Sequence, residues 1–157
     1  TVQMNTTLTI WRNIAILQPI GHIPSEKERT IAMDLVERLQ IKTPKLSTSI
    51  GNLSGGNQQK VSIAKWLAAD CDILIIDEPT VGVDIGAKEQ VHRLIHDLPT
   101  IAGQSIILIS SDMPEIVRLT NRILVFREGR IVGEVTDIDT TPKNYKQVSE
   151  EIGPLIV

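Results

Sequence analysis

The run "DILIID", Asp72 to Asp77, constrains this 157-residue chain more than any other stretch. An unbroken apolar segment held between two acids suits a short strand buried on both faces, as strands of parallel sheets read. "SIILIS" (Ser105 to Ser110) and "RILVF" (Arg122 to Phe126) repeat the pattern. Helical periodicity separates them. In "GAKEQVHRLIHDL", Ala87, Val91, Leu94, Ile95 and Leu98 fall on one stripe, and a shorter helix is expected from about Asp112 to Leu119. Glu128-Gly129 then turns the third run into "RIVGEV" as an antiparallel hairpin. Strands alternating with helices predict an α/β fold with a mainly parallel sheet that ends in this hairpin.

The residues before Cys71 are mainly helical by pattern. Ser25 with Glu28 has capping-box spacing and opens a helix to about Gln40, with Ile31, Leu35, Val36 and Leu39 on one face. The polar stretch from Lys42 to Gly56 contains Pro44, closes on a glycine pair and reads as a connector. A second helix follows Gly56, carrying Val61, Ala64 and Ala68, with Ile63 and Leu67 beside them. A last helix is expected between Asn144 and Ile152.

The connector holds the first chemical signal. In "NLSGGNQQKV", Gly51 and Gly56 have the G-x-x-x-x-G spacing of a phosphate-cradling loop, but Asn57-Gln58 follows where such a loop needs Lys and Ser or Thr. Three readings stand: a broken nucleotide site, a plain glycine turn, or half of a site completed by another polypeptide. Gly55 and Gly56 precede a helix, so unobstructed amides and the positive end of the helix dipole can face an anion, and Ser54 adds a hydroxyl donor.

The second signal is "LIIDEPT". Asp77 and Glu78 sit at the carboxyl end of a strand, where open parallel sheets expose their ligand crevice. One carboxylate can hold Mg²⁺ and the other can orient water attacking a phosphate. The plainer alternative is two acids facing solvent before Pro79. His92 and His96 stand four apart, but Arg93 occupies the place of the Glu in H-E-x-x-H, so solvent-facing histidines are expected. Trp11 and Trp66 could suggest a stacking platform for a base, but core or interface packing is expected of them. A single cysteine, Cys71, excludes an internal disulfide and suits a reducing compartment, and the net charge of −3 argues against a broad nucleic-acid footprint.

The ordered series "LSGGNQQ", "LIIDEPT", "VGVD", "IILISSDMPEI" and "RILVFREGRIVGE" resembles the ATP-binding cassette family, the ATPase modules of ABC transporters, over roughly Thr7 to Thr136. LSGGN is similar to the family signature, commonly LSGGQ; LIIDEP resembles Walker B with the catalytic glutamate; VGVD resembles the D-loop. "LSGGNQQKVSIAKWLA" with "DEPTVGVDIGAK" is closer still to the second cassette of bacterial monosaccharide importers. The resemblance implies a partial P-loop NTPase-like fold, with a helical subdomain (1–70), a distal catalytic subdomain (71–136) and a tail (137–157). It implies ATP and Mg²⁺ as ligands, Ser54, Gly55, Gly56 and Asn57 as the signature reaching a partner's γ-phosphate, Asp84 as the D-loop acid, Asp77 as the Mg²⁺ ligand and Glu78 as the catalytic carboxylate. The implied partners are a second cassette, membrane permease subunits and, indirectly, a periplasmic sugar-binding protein, at the cytoplasmic face of the bacterial inner membrane. No nucleic-acid partner is implied. The alternatives are a soluble non-transport ATPase of the same family and a non-catalytic interaction module.

Two departures carry expectations of their own. No window supplies G-x-x-x-x-G-K-[ST], so the lysine-bearing loop and the Q-loop are expected to precede this chain, which reads as the C-terminal piece of a cassette and is expected to be inactive alone. At Ser111 the family usually has a histidine that contacts the γ-phosphate. The resemblance also implies two unequal composite sites, and our expectation from them is that LSGGN matters more for turnover than Glu78.

Overall fold

The computed structural model describes residues 1–14, 25–136, 138 and 145–156; residues 15–24 and, in the expected tail, 137, 139–144 and 157 lie outside that description. The chain divides into two compact units, Thr1–Leu74 with Pro79–Ile106, and Ile75–Glu78 with Ile107–Val157.

The first unit is built on helices. Helix α1 (Val2–Thr6) is capped by Thr1, whose hydroxyl accepts from the Met4 amide. Its next amides, Val2 and Gln3, donate to the carbonyls of Thr48 and Leu46 at 2.9 and 3.0 Å. The connector thus supplies acceptors that a helix N-terminus lacks within itself. A short 3-10 turn and α2 (Trp11–Ile14) follow. In α3 (Ser25–Arg38) Ala32 and Leu35 are buried, as is Leu39 just beyond it, whereas Ile31 and Val36 are half-buried. Glu28 has a different task from the expected cap. Its carboxylate accepts from the Gln3 side-chain amide and the Thr7 hydroxyl, both at 2.9 Å, and ties α1 to α3.

Helix α4 (Gly55–Leu67) buries Val61, Ile63, Ala64 and Leu67, and α5 (Ile85–Ala102) buries the expected stripe of Ala87, Val91, Leu94, Ile95 and Leu98. Apolar side chains of this size each contribute on the order of 1.5–3 kcal/mol when fully buried. The two helices pack against each other, and position 56 sets how closely. A Cβ on Gly56 would stand 3.0 Å from the Ala87 Cβ and 3.6 Å from its carbonyl oxygen. Beyond Pro99, α5 closes at Gly103 (φ 70°), whose amide donates to the Pro99 carbonyl at 3.0 Å, a left-handed C-terminal stop that favours glycine.

Strands β1 (Ile73–Asp77) and β2 (Ser105–Ile109) pair with each other. Ser105 N donates to Asp72 O near one end and Glu78 N to Ile109 O at the other, so the two run parallel. Burial of β1 alternates rather than covering both faces. Leu74 and Ile76 are buried, but Ile73 and Ile75 are 57% and 63% exposed. A continuous apolar run shows that both faces tolerate burial, not that the same residues supply both covers; among the described residues only one face is covered.

In the second unit α6 (Met113–Leu119) leads to β3 (Ile123–Arg127) and β4 (Arg130–Val135), which form a separate antiparallel sheet with Arg127 opposite Arg130. Glu128 (φ 50°) and Gly129 (φ 73°) make the turn, the double left-handed geometry that matches strand twist. Helix α7 (Tyr145–Ile156), four residues longer than expected at its end, packs on this hairpin. Val117, Ile123, Val125, Val135, Ile138, Val148 and Ile152 form the core. Gly133 leaves the space that Leu155 fills, since a Cβ there would overlap it.

The Gly56–Ala87 contact makes a stability prediction. Gly56→Leu should destabilise the chain to urea by about 1–3 kcal/mol because α4 and α5 must separate. Gly55→Ala should stay within about 1 kcal/mol of wild type, since its added Cβ meets nothing within 4 Å.

Candidate functional site

The residues singled out from sequence fall into two clusters, one in each unit. In the first, Ser54 is the N-cap of α4 with an extended backbone (φ −61°, ψ 153°), yet its side chain makes no capping bond. Its carbonyl accepts from Gln58 N at 2.9 Å, while the Gln58 side chain donates to Leu53 O at 2.8 Å. Among the described residues nothing accepts from the amides of Gly55, Gly56 and Asn57. These are the orphan donors of a helix start; Ser54 beside them is exposed and Gly55 half-buried, whereas Gly56 and Asn57 are buried.

The side chain of Asn57 points inward instead. It is 7% exposed, accepts the Lys42 amide on Oδ1 at 2.8 Å and donates through Nδ2 to Ser54 Oγ at 2.8 Å. One turn on, the buried Lys60 ammonium donates to Gln40 O at 3.1 Å, fastening the end of α3 to α4. Burial, and secondarily the Lys42 charge, hold the Lys60 pKa below the ordinary lysine range. Asp84 also belongs to this unit. It caps α5, with Oδ1 accepting from Ala87 N at 2.9 Å. The turn before it uses Gly82 (φ 73°) and a Val83 N to Thr80 O bond of 3.2 Å.

In the second cluster, Asp77 ends β1 with its side chain exposed, whereas Glu78 is half-buried and has a left-handed backbone (φ 44°). The Glu78 amide still continues the ladder to Ile109 O at 2.8 Å. The two acids therefore take different environments despite being adjacent. Glu78 Oε1 accepts the Ser111 backbone amide at 2.8 Å, so the structure brings together the catalytic candidate and the switch position. Ser110 Oγ accepts from Asp112 N at 3.0 Å, and Asp112 Oδ1 caps α6 through Glu115 N at 3.2 Å, which shapes the loop that presents Ser111.

Other candidates do not assemble into a site. His96 is exposed and pairs with its neighbour Asp97 at 3.0 Å, and His92 is half-buried. Among the described residues no group of three or more His, Cys, Asp or Glu could hold a metal ion. Trp66 is half exposed with the Lys65 ammonium 5.5 Å from its ring centre, so it is a surface rather than a core residue. Trp11 donates to Thr7 Oγ1 at 3.3 Å. Cys71 is half-buried, and its carbonyl accepts from the Gln104 side chain at 2.7 Å. Sequence reading missed Lys42 and Ala87 as supports of the glycine turn. Lys42 acts through a backbone amide that no residue type announces; Ala87 was visible only as part of an apolar stripe.

The profile of the ABC transporter family matches residues 1–81. Ribose import ATP-binding protein RbsA 2 of Rhizobium meliloti (strain 1021) is 44% identical over 152 residues, covering 94% of this chain and 30% of that protein. Arabinose import ATP-binding protein AraG 2 of Burkholderia ambifaria is 48% identical over 120 residues, covering 76% and 23%. The chain spans less than a third of the length of these curated relatives. Among solved structures, the dimeric MJ0796, a bacterial ABC transporter cassette, superposes with a TM-score of 0.67 at 25% identity, over 87% of this chain and 56% of that one. The cbiO1 protein of Clostridium perfringens, part of the ABC transporter complex cbiONQ, shares the fold with a TM-score of 0.64 at 23% identity, over 85% and 52%.

Because the Ser111 amide is held by a carboxylate, Glu78→Ala should raise its hydrogen-exchange rate by about tenfold or more, and Glu78→Gln by clearly less. Exchange followed residue by residue by NMR checks this.

Proposed function

The chain belongs to the ABC transporter family, and on that premise we propose that it supplies the signature and Walker B parts of the ATPase subunit of a monosaccharide importer. In this reading the subunit works with a second cassette and membrane permease subunits at the cytoplasmic face of the inner membrane, and indirectly with a periplasmic sugar-binding protein. No helix among the described residues is long and apolar enough to cross a membrane, which accords with a peripheral position. ATP binding closes two cassettes head to tail, hydrolysis reopens them, and the cycle drives the permease.

One observation carries the proposal: the α4 start keeps the Gly55, Gly56 and Asn57 amides without acceptors among the described residues, beside an open flank at Gly55. A glycine at a helix start costs stability relative to alanine, and no contact among the described residues requires it at position 55. Position 56 differs, because a Cβ there would crowd Ala87 at 3.0 Å. Gly55 is therefore free to admit an outside body to the amides, and a phosphate suits amide donors at a positive helix end. The lysine that a complete phosphate loop needs would come from the other cassette.

Asp77 and Glu78 divide the second task. Mg²⁺ binds nucleotides through one or two carboxylates plus phosphate oxygens and water, so the single exposed Asp77 carboxylate is a sufficient protein ligand. Bound there, the ion would neutralise charge on the transferring phosphoryl group. Glu78 would orient the attacking water, but its Oε1 is engaged by Ser111 N, and Ser111 lacks the reach and charge of a histidine. Asp84 holds the start of α5, and with it the Ala87 that fixes Gly56. Together these favour a signature that contributes more to turnover than this chain's own Glu78.

Gly55→Asp separates fold from function. An acid in the first turn favours the helix, yet it places negative charge where the phosphate would sit. In the intact ATPase with its permease, Gly55→Asp should lower ATP hydrolysis by about a hundredfold or more. Glu78→Gln should retain at least about a tenth of wild-type hydrolysis. The opposite ranking would remove the reading.

A further inference from the structure

We propose that Asn57 is a positioning residue: its side-chain amide, oriented by the backbone N–H of Lys42, holds the Ser54 hydroxyl so that its hydrogen is left for the nucleotide phosphate. The inference rests on the signature reading above and adds a role for a side chain that does not itself face the ligand.

The orientation follows from donor and acceptor chemistry. A backbone N–H can only donate, so the Asn57 atom 2.8 Å from Lys42 N must be the carbonyl oxygen. The amide nitrogen then faces Ser54 Oγ, also at 2.8 Å, and it too can only donate. Ser54 Oγ is therefore an acceptor toward the protein, and its own hydrogen has no acceptor among the described residues. With Asn57 only 7% exposed and both ends of its amide engaged, it is placed to orient rather than to touch a ligand. The hydroxyl then joins the Gly55, Gly56 and Asn57 amides as a fourth donor of one polarity. A serine free to rotate would offer its lone pairs to an anion part of the time.

Asn57→Asp tests this in the intact ATPase assembled with its permease. The carboxylate keeps the shape and the Lys42 acceptor but offers Ser54 only lone pairs, so the hydroxyl hydrogen turns inward. The kcat for ATP hydrolysis should fall about tenfold or more, and its ratio to wild type should partly recover as pH falls toward about 5, where a protonated carboxyl can donate again. Combined with Ser54→Ala, the loss should be smaller than the product of the single losses by about fivefold or more. Losses that multiply, with no recovery in acid, overturn the proposal. If Asn57→Asp unfolds, Lys42→Pro removes the orienting N–H from the other end, and its loss must likewise be non-multiplicative with Ser54→Ala. A wild-type rate for Ser54→Ala also overturns it. If Gly55→Asp still abolishes hydrolysis in that case, the signature reading stands and only the role of Asn57 falls.

Discussion

Helices α4 and α5 can meet as they do because position 56 carries no side chain. A Cβ at position 56 would stand 3.0 Å from that of Ala87, so any larger residue there would push α4 and α5 apart in a closely packed interior. Two outcomes follow from that one contact. The start of α4, with its unsatisfied amides, is held at a fixed place on the first unit. The start of α5, capped by Asp84, is fixed beside it, because Ala87 is both the residue that abuts Gly56 and the one whose amide Asp84 accepts. A motif usually described by what it binds is also, at one of its two glycines, a packing contact.

The neighbouring glycine has the opposite logic. Among the described residues nothing comes within 4 Å of a Cβ built at Gly55, so none of them requires its small size. Around it the polar groups divide into those with a partner and those without one among the described residues. The buried Asn57 and Lys60 spend their side chains on Ser54 and Gln40, the exposed Gln58 donates to Leu53, and with the Lys42 amide they brace the connector against α4. The Gly55, Gly56 and Asn57 amides and the Ser54 hydroxyl hydrogen are the donors left without an acceptor among the described residues. Donors of one sign, pre-set before a ligand arrives, need no reorganisation on binding, which is why such arrangements serve developing or fixed negative charge well. The Glu78 cluster is built differently, with a half-buried carboxylate already accepting from Ser111.

Much of this was legible in the sequence because periodicity reports burial. The α5 stripe and the hairpin turn at Glu128-Gly129 stand where the pattern put them, and the order of LSGGN, LIIDEP and VGVD pointed to the family that the profile and the relatives show. Legibility failed where the deciding group was a backbone atom or a tertiary partner. Glu28 has the spacing of a cap but serves Gln3 and Thr7, residues more than twenty positions away. Strand β1 has two apolar faces in sequence, and the described residues cover only that of Leu74 and Ile76. Asn57 reads as part of a binding motif, and only its distances to Lys42 and Ser54 show that its side chain is committed inside.

The most direct measurement is amide hydrogen exchange at residues 55–57 in the intact transporter, compared between the nucleotide-free state and a state trapped with ATP under conditions that block hydrolysis. If these amides cap a phosphate presented by the second cassette, their exchange should slow by about a hundredfold or more on trapping, together with the partner's lysine-bearing loop. Protection of that loop with exchange at 55–57 unchanged would contradict the assignment.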